Sequence, residues 1–285
     1  IQNCGYLMAV FQTLKGAIAE HVHDGDMLAL EGFTHLIPFA AGHEIIRQAK
    51  KDLHLVRMTP DIIYDQMIGM GCAKQLTFSW GGNAGVGSLH RLRDAVENQW
   101  PNALALNEHT HAGMAVAYTA GAAHIPFGIL RGYIGTDLTH VNNAIKQIQC
   151  PFPDEWLTAI PALNPDVTIL HAQKADEHGN VLLEGITGAG REAGLASKKL
   201  IVTVEEIVDD FPPMMNAVML PHWLVSVVVL CKGGAYPSYA QNYYPRDNAF
   251  YLDWDAIARE RTSFQAWMKT HVLDVQSQQE FLQLM

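Results

Sequence analysis

Cysteine is scarce: Cys4, Cys72, Cys150 and Cys231 are the only four in 285 residues, and no two stand in CxxC spacing. This excludes a disulfide framework and a structural zinc site, and it fits a reducing cytoplasm. Positive charge is short as well. With 19 Lys and Arg against 29 Asp and Glu, the net charge is −10, which disfavours nucleic acid and anionic membranes as partners. No apolar run is long enough to span a bilayer; Trp223–Cys231, the longest, has the length of a buried strand. Ile1–Leu7 is too short for an export signal and lacks a basic flank, so residues 1–7 read as a leader or extension and residues 8–285 as one domain. Internal repeats and low-complexity tracts are absent. So are a G-x-S-x-G elbow, a P-loop lysine and any set of His and Cys at metal-ligand spacing, so no metal site is expected.

What is present is core material: 49% of the chain is hydrophobic and only 17% charged. The amino-terminal half alternates helical and strand patterns with short connections, the pattern of βαβ units and a parallel sheet. Helices are expected over Phe11–His23, Ala40–Lys51, Ile62–Met70, Leu89–Gln99 (with Ser88 as its cap) and Gly113–Ala123. Strands are expected over Met27–Leu30, Leu53–Met58, Gln75–Trp80 and Leu104–Leu106. In the second half, Cys150–Pro165 carries four prolines and reads as irregular. Asp166–Leu170, Leu200–Val204 and Val225–Leu230 read as strands, and Trp254–Met268 as a terminal amphipathic helix. The fold class is therefore α/β, a mainly parallel sheet wrapped by helices.

Four segments could carry chemistry. Leu28–Pro38 runs from an apolar strand into Gly32-Phe33-Thr34, where a glycine at a strand's carboxyl end leaves amides free to meet a developing negative charge. Ser79-Trp80-Gly81-Gly82-Asn83 opens a glycine-rich loop that ends at Gly87 and lacks both the dinucleotide fingerprint and the P-loop lysine. Glu108-His109-Thr110-His111 sets two imidazoles beside a carboxylate and reads first as a solvated polar loop. His171–Asn180 ends in Asp176-Glu177-His178-Gly179-Asn180, whose Asp, Asn and Gly favour a hairpin turn. Glu205 and Glu206 alternate along a strand and must point to opposite faces, so they are no acid/base pair.

Together with Arg131-Gly132-Tyr133-Ile134-Gly135-Thr136-Asp137, these blocks resemble, in order, the A (alpha) subunits of family I coenzyme A transferases, and among them the glutaconate branch. The resemblance implies that family's alpha-subunit fold and a two-subunit transferase in the cytoplasm. Such an enzyme moves CoA between an acyl-CoA and a carboxylic acid through a glutamyl thioester on a B subunit. CoA would be a co-substrate, with no permanently bound cofactor. The resemblance makes Gly32, Phe33 and Thr34 the donors to the thioester oxygen, each such donor being worth about 2.7–4 kcal/mol. Glu31 departs from the small residue common there. Trp80, Gly82, Asn83 and Glu108 would shape the acyl pocket. Arg131 would either pair with a substrate carboxylate or form a structural salt bridge. The lone Glu-x-Gly match, Glu192-Ala193-Gly194, sits in a helical pattern and is set aside as nucleophile. Two alternatives stay open: a hydrolase of the same architecture, acting on acyl-CoA or opening a ring, and a non-catalytic acyl or sugar sensor. Gly32→Val is expected to lower turnover roughly 10²–10³-fold with the fold intact.

Overall fold

Alternating apolar segments build the expected mainly parallel sheet in the computed structural model, which describes residues 9–211 and 217–285. The expected extension over residues 1–7 lies outside the described residues. The first half supplies β1 (Val10–Phe11), α1 (Leu14–His21), β2 (Met27–Leu30), α2 (Phe39–Arg47) and β3 (Leu53–Val56). It continues with α3 (Ile62–Gly69), β4 (Ala73–Phe78), α4 (His90–Glu97), β5 (Ala105–Glu108) and α5 (His111–Ala122). The second half supplies β6 (Phe127–Leu130), α6 (Leu138–Val141), β7 (Lys146–Gln149), β8 (Trp156–Pro161), β9 (Val167–Asp176) and β10 (Val181–Glu184). There follow α7 (Gly190–Ala196), β11 (Lys199–Val208), β12 (Ala217–Leu220), β13 (Val227–Leu230), α8 (Asn248–Arg259), α9 (Arg261–Met268) and α10 (Gln278–Leu284).

The main sheet runs β1-β13-β11-β9-β2-β3-β4-β5 with every neighbouring pair parallel. Its inner strands are buried on both faces, which is why they read as continuous apolar runs. From β2 the chain steps one way, through β3, β4 and β5; from β9 it steps the other way, through β11 and β13. The two directions part between β2 and β9, and α/β sheets open a crevice at the carboxyl ends of strands at such a point. Beyond the parallel region, β10 folds back antiparallel on β9 through the Asp176–Asn180 turn. Asp176 Oδ1 accepts the amides of His178 and Asn180, and Gly179 takes φ +88°. The hairpin expected from those residue types is present.

Sequence and structure differ where long-range contacts decide the local outcome. The Phe11–His23 segment begins as β1 and turns helical only after Thr13, whose hydroxyl accepts the Gly16 amide at 3.1 Å. Cys150–Pro165 contains a regular strand, β8, at the centre of an antiparallel β6-β8-β7 sheet. Trp254–Met268 is shared between two helices that break at Glu260. Ser88 does not cap α4. That cap comes from α3, where Asp65 Oδ1 accepts the amides of Arg91 and Leu92 at 2.8 and 2.9 Å while Oδ2 accepts the Trp254 indole N–H at 3.1 Å. Burial pushes the Asp65 carboxyl up to about 6, against the pull of those donors.

Cys72, Cys150 and Cys231 are free thiols. Among the described residues, no helix is long and apolar enough to cross a membrane and no His, Cys, Asp and Glu cluster could hold a metal ion.

Asp65 joins three helices, so Asp65→Ala strands two helix-terminal amides and an indole N–H in the core. The expected loss is about 2–4 kcal/mol, read as a lower urea midpoint; a shift under a few tenths of a kcal/mol would show that the cap is dispensable.

Candidate active site

At the carboxyl end of β2, beside the point where the strand order diverges, the chain makes a tight loop over residues 31–37. Two non-glycine residues in it are left-handed, Thr34 at φ +57° and Leu36 at φ +54°. For a β-branched residue such as Thr34 this is a strained conformation, one that persists only where surrounding contacts over-determine it. Those contacts are present. The Arg57 guanidinium donates to the Gly32 carbonyl at 2.9 Å, and Ser238 Oγ donates to the Thr34 carbonyl at 3.0 Å. The Leu36 amide donates to the Tyr239 carbonyl at 2.9 Å. Buried His35 is clamped from both sides: its Nδ1–H donates to Ile186 O at 2.9 Å, and its Nε2 accepts the Gln241 amide at 3.0 Å. Burial lowers its pKa, so the ring stays neutral in that tautomer.

Arg57, the residue after β3, is 1% exposed. Besides Gly32 it holds Asp61 at the start of α3, Nη1 to Oδ1 at 2.8 Å. Glu31 is buried beneath the loop, and it accepts the Tyr118 hydroxyl at 2.7 Å and the Met58 amide at 3.2 Å. The Gly32 amide also faces that carboxylate, and burial raises the Glu31 pKa. Glu31 therefore supports the loop from below and does not alter the shape of its outer face.

Above the loop opens a cleft of about 230 Å³ lined by Phe33, Thr34, Arg57, Thr59, Asp61, Trp80, Ala84 and His111. These residues lie just beyond β2, β3, β4 and β5, so four consecutive parallel strands deliver the walls. Trp80 is 46% exposed and rests on Gly82, where an added Cβ would come within 2.5 Å of the indole ring. Ser79 Oγ donates to Met58 O at 2.7 Å and lies 3.3 Å from His111 Nδ1.

The structure brings Phe33, Thr34 and Trp80 to this cleft, with Gly82 directly behind Trp80. It places the other expected residues elsewhere. Asn83 is 1% exposed and not among the cleft residues; its side-chain amide donates to the Tyr251 carbonyl at 2.7 Å, which anchors the glycine-rich loop to α8. Glu108 ends β5 on the surface and is not among the cleft residues. Arg131, which follows β6 of the small sheet, is not among the cleft residues and pairs bidentately with Glu155, at 2.9 and 2.7 Å, the salt bridge that was one of its two expected roles. His109 is buried against Tyr133 and Asn142, with its pKa lowered by burial to about 4, so the 108–111 segment is solvated at Glu108 and His111 but not at His109. Glu205 is buried under the hydrogen bonds of His171 and Tyr244, while Glu206 is exposed on the opposite face, as alternation requires. Glu192 sits on α7, half-buried beside Arg191 and lining a neighbouring cavity that Phe33 shares.

The sequence profile of the coenzyme A transferases matches residues 11–230. The chain belongs to the coenzyme A transferase family. It is 60% identical over 274 residues to the A subunit of 3-oxoadipate CoA-transferase from Pseudomonas knackmussii, spanning 96% of this chain and 97% of that one. It is 32% identical over 298 residues to the A subunit of glutaconate CoA-transferase from Acidaminococcus fermentans, spanning 96% and 91%. The crystal structure of glutaconate coenzyme A-transferase from the same organism superimposes with a TM-score of 0.90 at 31% identity, covering 97% of this chain and 92% of that one. The likeness to A subunits of CoA-transferases thus runs through nearly the whole chain, and the transferase fold is the one expected.

Within this transferase chain, Arg57, Thr59 and Asp61 are the parts of the site that sequence reasoning missed, while His35 and His111 lie in segments it singled out without giving them a role. Arg57 was hidden inside an apolar strand pattern; its signal is the carboxylate of Asp61 four residues on, past Thr59-Pro60.

Two backbone facts revise the role of the Gly-Phe-Thr segment. The Phe33 amide donates to His35 O at 3.1 Å, so it is not open to a substrate. A Cβ on Gly32 would lie 2.8 Å from the carbonyl oxygens of both His35 and Leu36, and β2 lies inside the sheet, not at its edge. Gly32 is thus required by the turn itself. Gly32→Val is therefore expected to lower the melting temperature by roughly 5–10 °C as well as turnover, because backbone must move to admit it. An unchanged melting temperature with a large loss of turnover would return Gly32 to a purely catalytic role.

Proposed function

We propose that this chain is the A subunit of a two-subunit CoA-transferase that acts with a B subunit on a short acyl-CoA and a carboxylic acid, with an acyl group of the 3-oxoadipate type. The reading is carried by the 60% identity to the corresponding chain of 3-oxoadipate CoA-transferase, which extends over both chains almost completely. The strained loop at the carboxyl end of β2, with a small cleft above it, supports it.

In this mechanism the nucleophile is a glutamate carboxylate of the B subunit; it attacks the thioester carbonyl, and CoA thiolate leaves to give a mixed anhydride. The thiolate then attacks the glutamyl carbonyl, forming the glutamyl thioester and releasing the first acid as carboxylate. The acceptor carboxylate repeats the two steps in reverse order and departs as its CoA ester. Each attack places negative charge on a carbonyl oxygen. Thr34 is exposed at the loop tip, and no hydrogen bond engages its amide among the described residues; it is the donor we assign to that oxygen. Its hydroxyl donates to the Phe33 carbonyl at 2.6 Å and so holds the amide's orientation. Phe33 and Trp80 provide apolar walls that exclude water from the anhydride.

The chain alone is expected to show no CoA exchange between an acyl-CoA and a carboxylate and to gain it on addition of the B subunit. Robust exchange by the chain alone would sink the assignment, and CoA release without an acceptor acid would identify a hydrolase.

Glu192→Ala should keep the turnover of the assembled enzyme within about tenfold, since Glu192 lines a neighbouring cavity but is not the nucleophile in this reading. A fall of several orders of magnitude, with no CoA trapped on the B subunit, would place the nucleophile on α7.

A further inference from the structure

A second cavity, of about 550 Å³, opens at the carboxyl end of β13, with β11 and β9 between that strand and β2. Its walls come from the start of α1, the last turn of α2, the end of β13 and the start of α10, and it shares no residue with the cleft above the Gly32 loop. Three cations line it: Lys15, Arg47 and Lys232. Arg47 is spent on Glu44, Nε to Oε2 at 2.8 Å. Lys15 and Lys232 are exposed, and among the described residues no carboxylate pairs with either. In a chain where 29 acids face 19 bases, two unpaired cations on one cavity leave a local charge that calls for a dianion. Lys15 also belongs to the first turn of α1, where no hydrogen bond engages the Leu14 and Lys15 amides among the described residues. The amino end of a helix favours negative charge.

A separate sign of a ligand comes from Gln278 in the same wall, which is 7% exposed. Its Nε2 donates to Gly233 O at 2.8 Å, whereas its Oε1 has no partner among the described residues. A buried acceptor is costly to leave unmet, and an N–H or O–H donor in the cavity would meet it. We infer that this cavity binds a phosphate monoester of about nucleotide size, a ligand additional to the substrates of the cleft. The phosphate carries close to two negative charges at neutral pH and matches Lys15, Lys232 and the free amides of α1. Leu14, Leu230 and Leu282 cover the organic body, and its N–H or O–H groups face Gln278. Cys231 also lines the cavity, but burial pushes its thiol up to about 12, so the site binds its ligand without covalent chemistry.

The test is calorimetric titration of the assembled A–B complex with adenosine 5′-monophosphate and with glucose 6-phosphate, against adenosine and glucose as controls without phosphate. Each titration is repeated with saturating CoA, which fills the substrate site. At least one ester should bind once per A chain, roughly tenfold or more tighter than its parent alcohol, and CoA should not displace it. The ester that binds tells a nucleoside body from a sugar body. Lys15→Glu combined with Lys232→Glu should weaken that ester roughly 10- to 100-fold while CoA exchange stays within about threefold of wild type, and the paired Lys→Arg changes should retain binding. Failure of both esters to bind, affinity no better than the parent alcohols, displacement by CoA, or an unaltered affinity in the double glutamate variant would overturn the inference. So would loss of CoA exchange together with ester binding in that variant, which would make the cavity part of the reaction's own machinery.

Discussion

A buried guanidinium organises this molecule's working end. Arg57 sits at the carboxyl end of one inner strand and ties down a carbonyl at the end of the next, while its charge is neutralised by Asp61 from the helix that follows. Burying such a pair stabilises a fold little, because desolvation of both ions offsets most of their attraction, and apolar residues of equal volume would often serve better. What apolar residues cannot do is hold the Gly32 carbonyl in place. The pair is better understood as a device of position: it links β2, β3 and α3 at the base of a loop whose backbone is held in the left-handed region at both Thr34 and Leu36.

That loop shows how strain is sustained. Two left-handed residues within three would relax if any single contact held them, but the contacts arrive from four directions: Arg57, Ser238, Tyr239 and the clamped His35. The last three link the loop to residues 186 and 238–241, more than 150 positions away in the chain. Locally the sequence supplies Gly32, which the turn requires, but not the contacts that hold Thr34 and Leu36 left-handed. Those distant segments meet the loop only in the assembled sheet, where the strand order diverges between β2 and β9.

This explains which parts were legible in the sequence. Inner strands announced themselves as apolar runs, and the Asp176–Asn180 turn by residue type, since both are set by burial or by local hydrogen bonds. The partners of Asn83 and Arg131, Tyr251 and Glu155, are chosen by tertiary contact and leave no trace in spacing, so the sequence placed Asn83 in a pocket and left Arg131 between two roles. The α4 cap was misassigned for the same reason, since Asp65 does from another helix what Ser88 could have done locally. Two imidazoles at i, i+2 looked alike in sequence. The fold buries His109 against Tyr133 and leaves His111 facing the cleft. Family blocks pointed to the loop and to Trp80, which share one cleft, yet they carried no information on Arg57, which resembles any strand-end cation until Asp61 is seen beside it.

The contact between Gly82 and the Trp80 indole makes the aromatic wall of the cleft adjustable from behind. A Cβ at position 82 would fall 2.5 Å from the far edge of the ring, so any larger residue there must displace the half-exposed indole. The width of the cleft can therefore be retuned at a position that is not itself among the residues lining it.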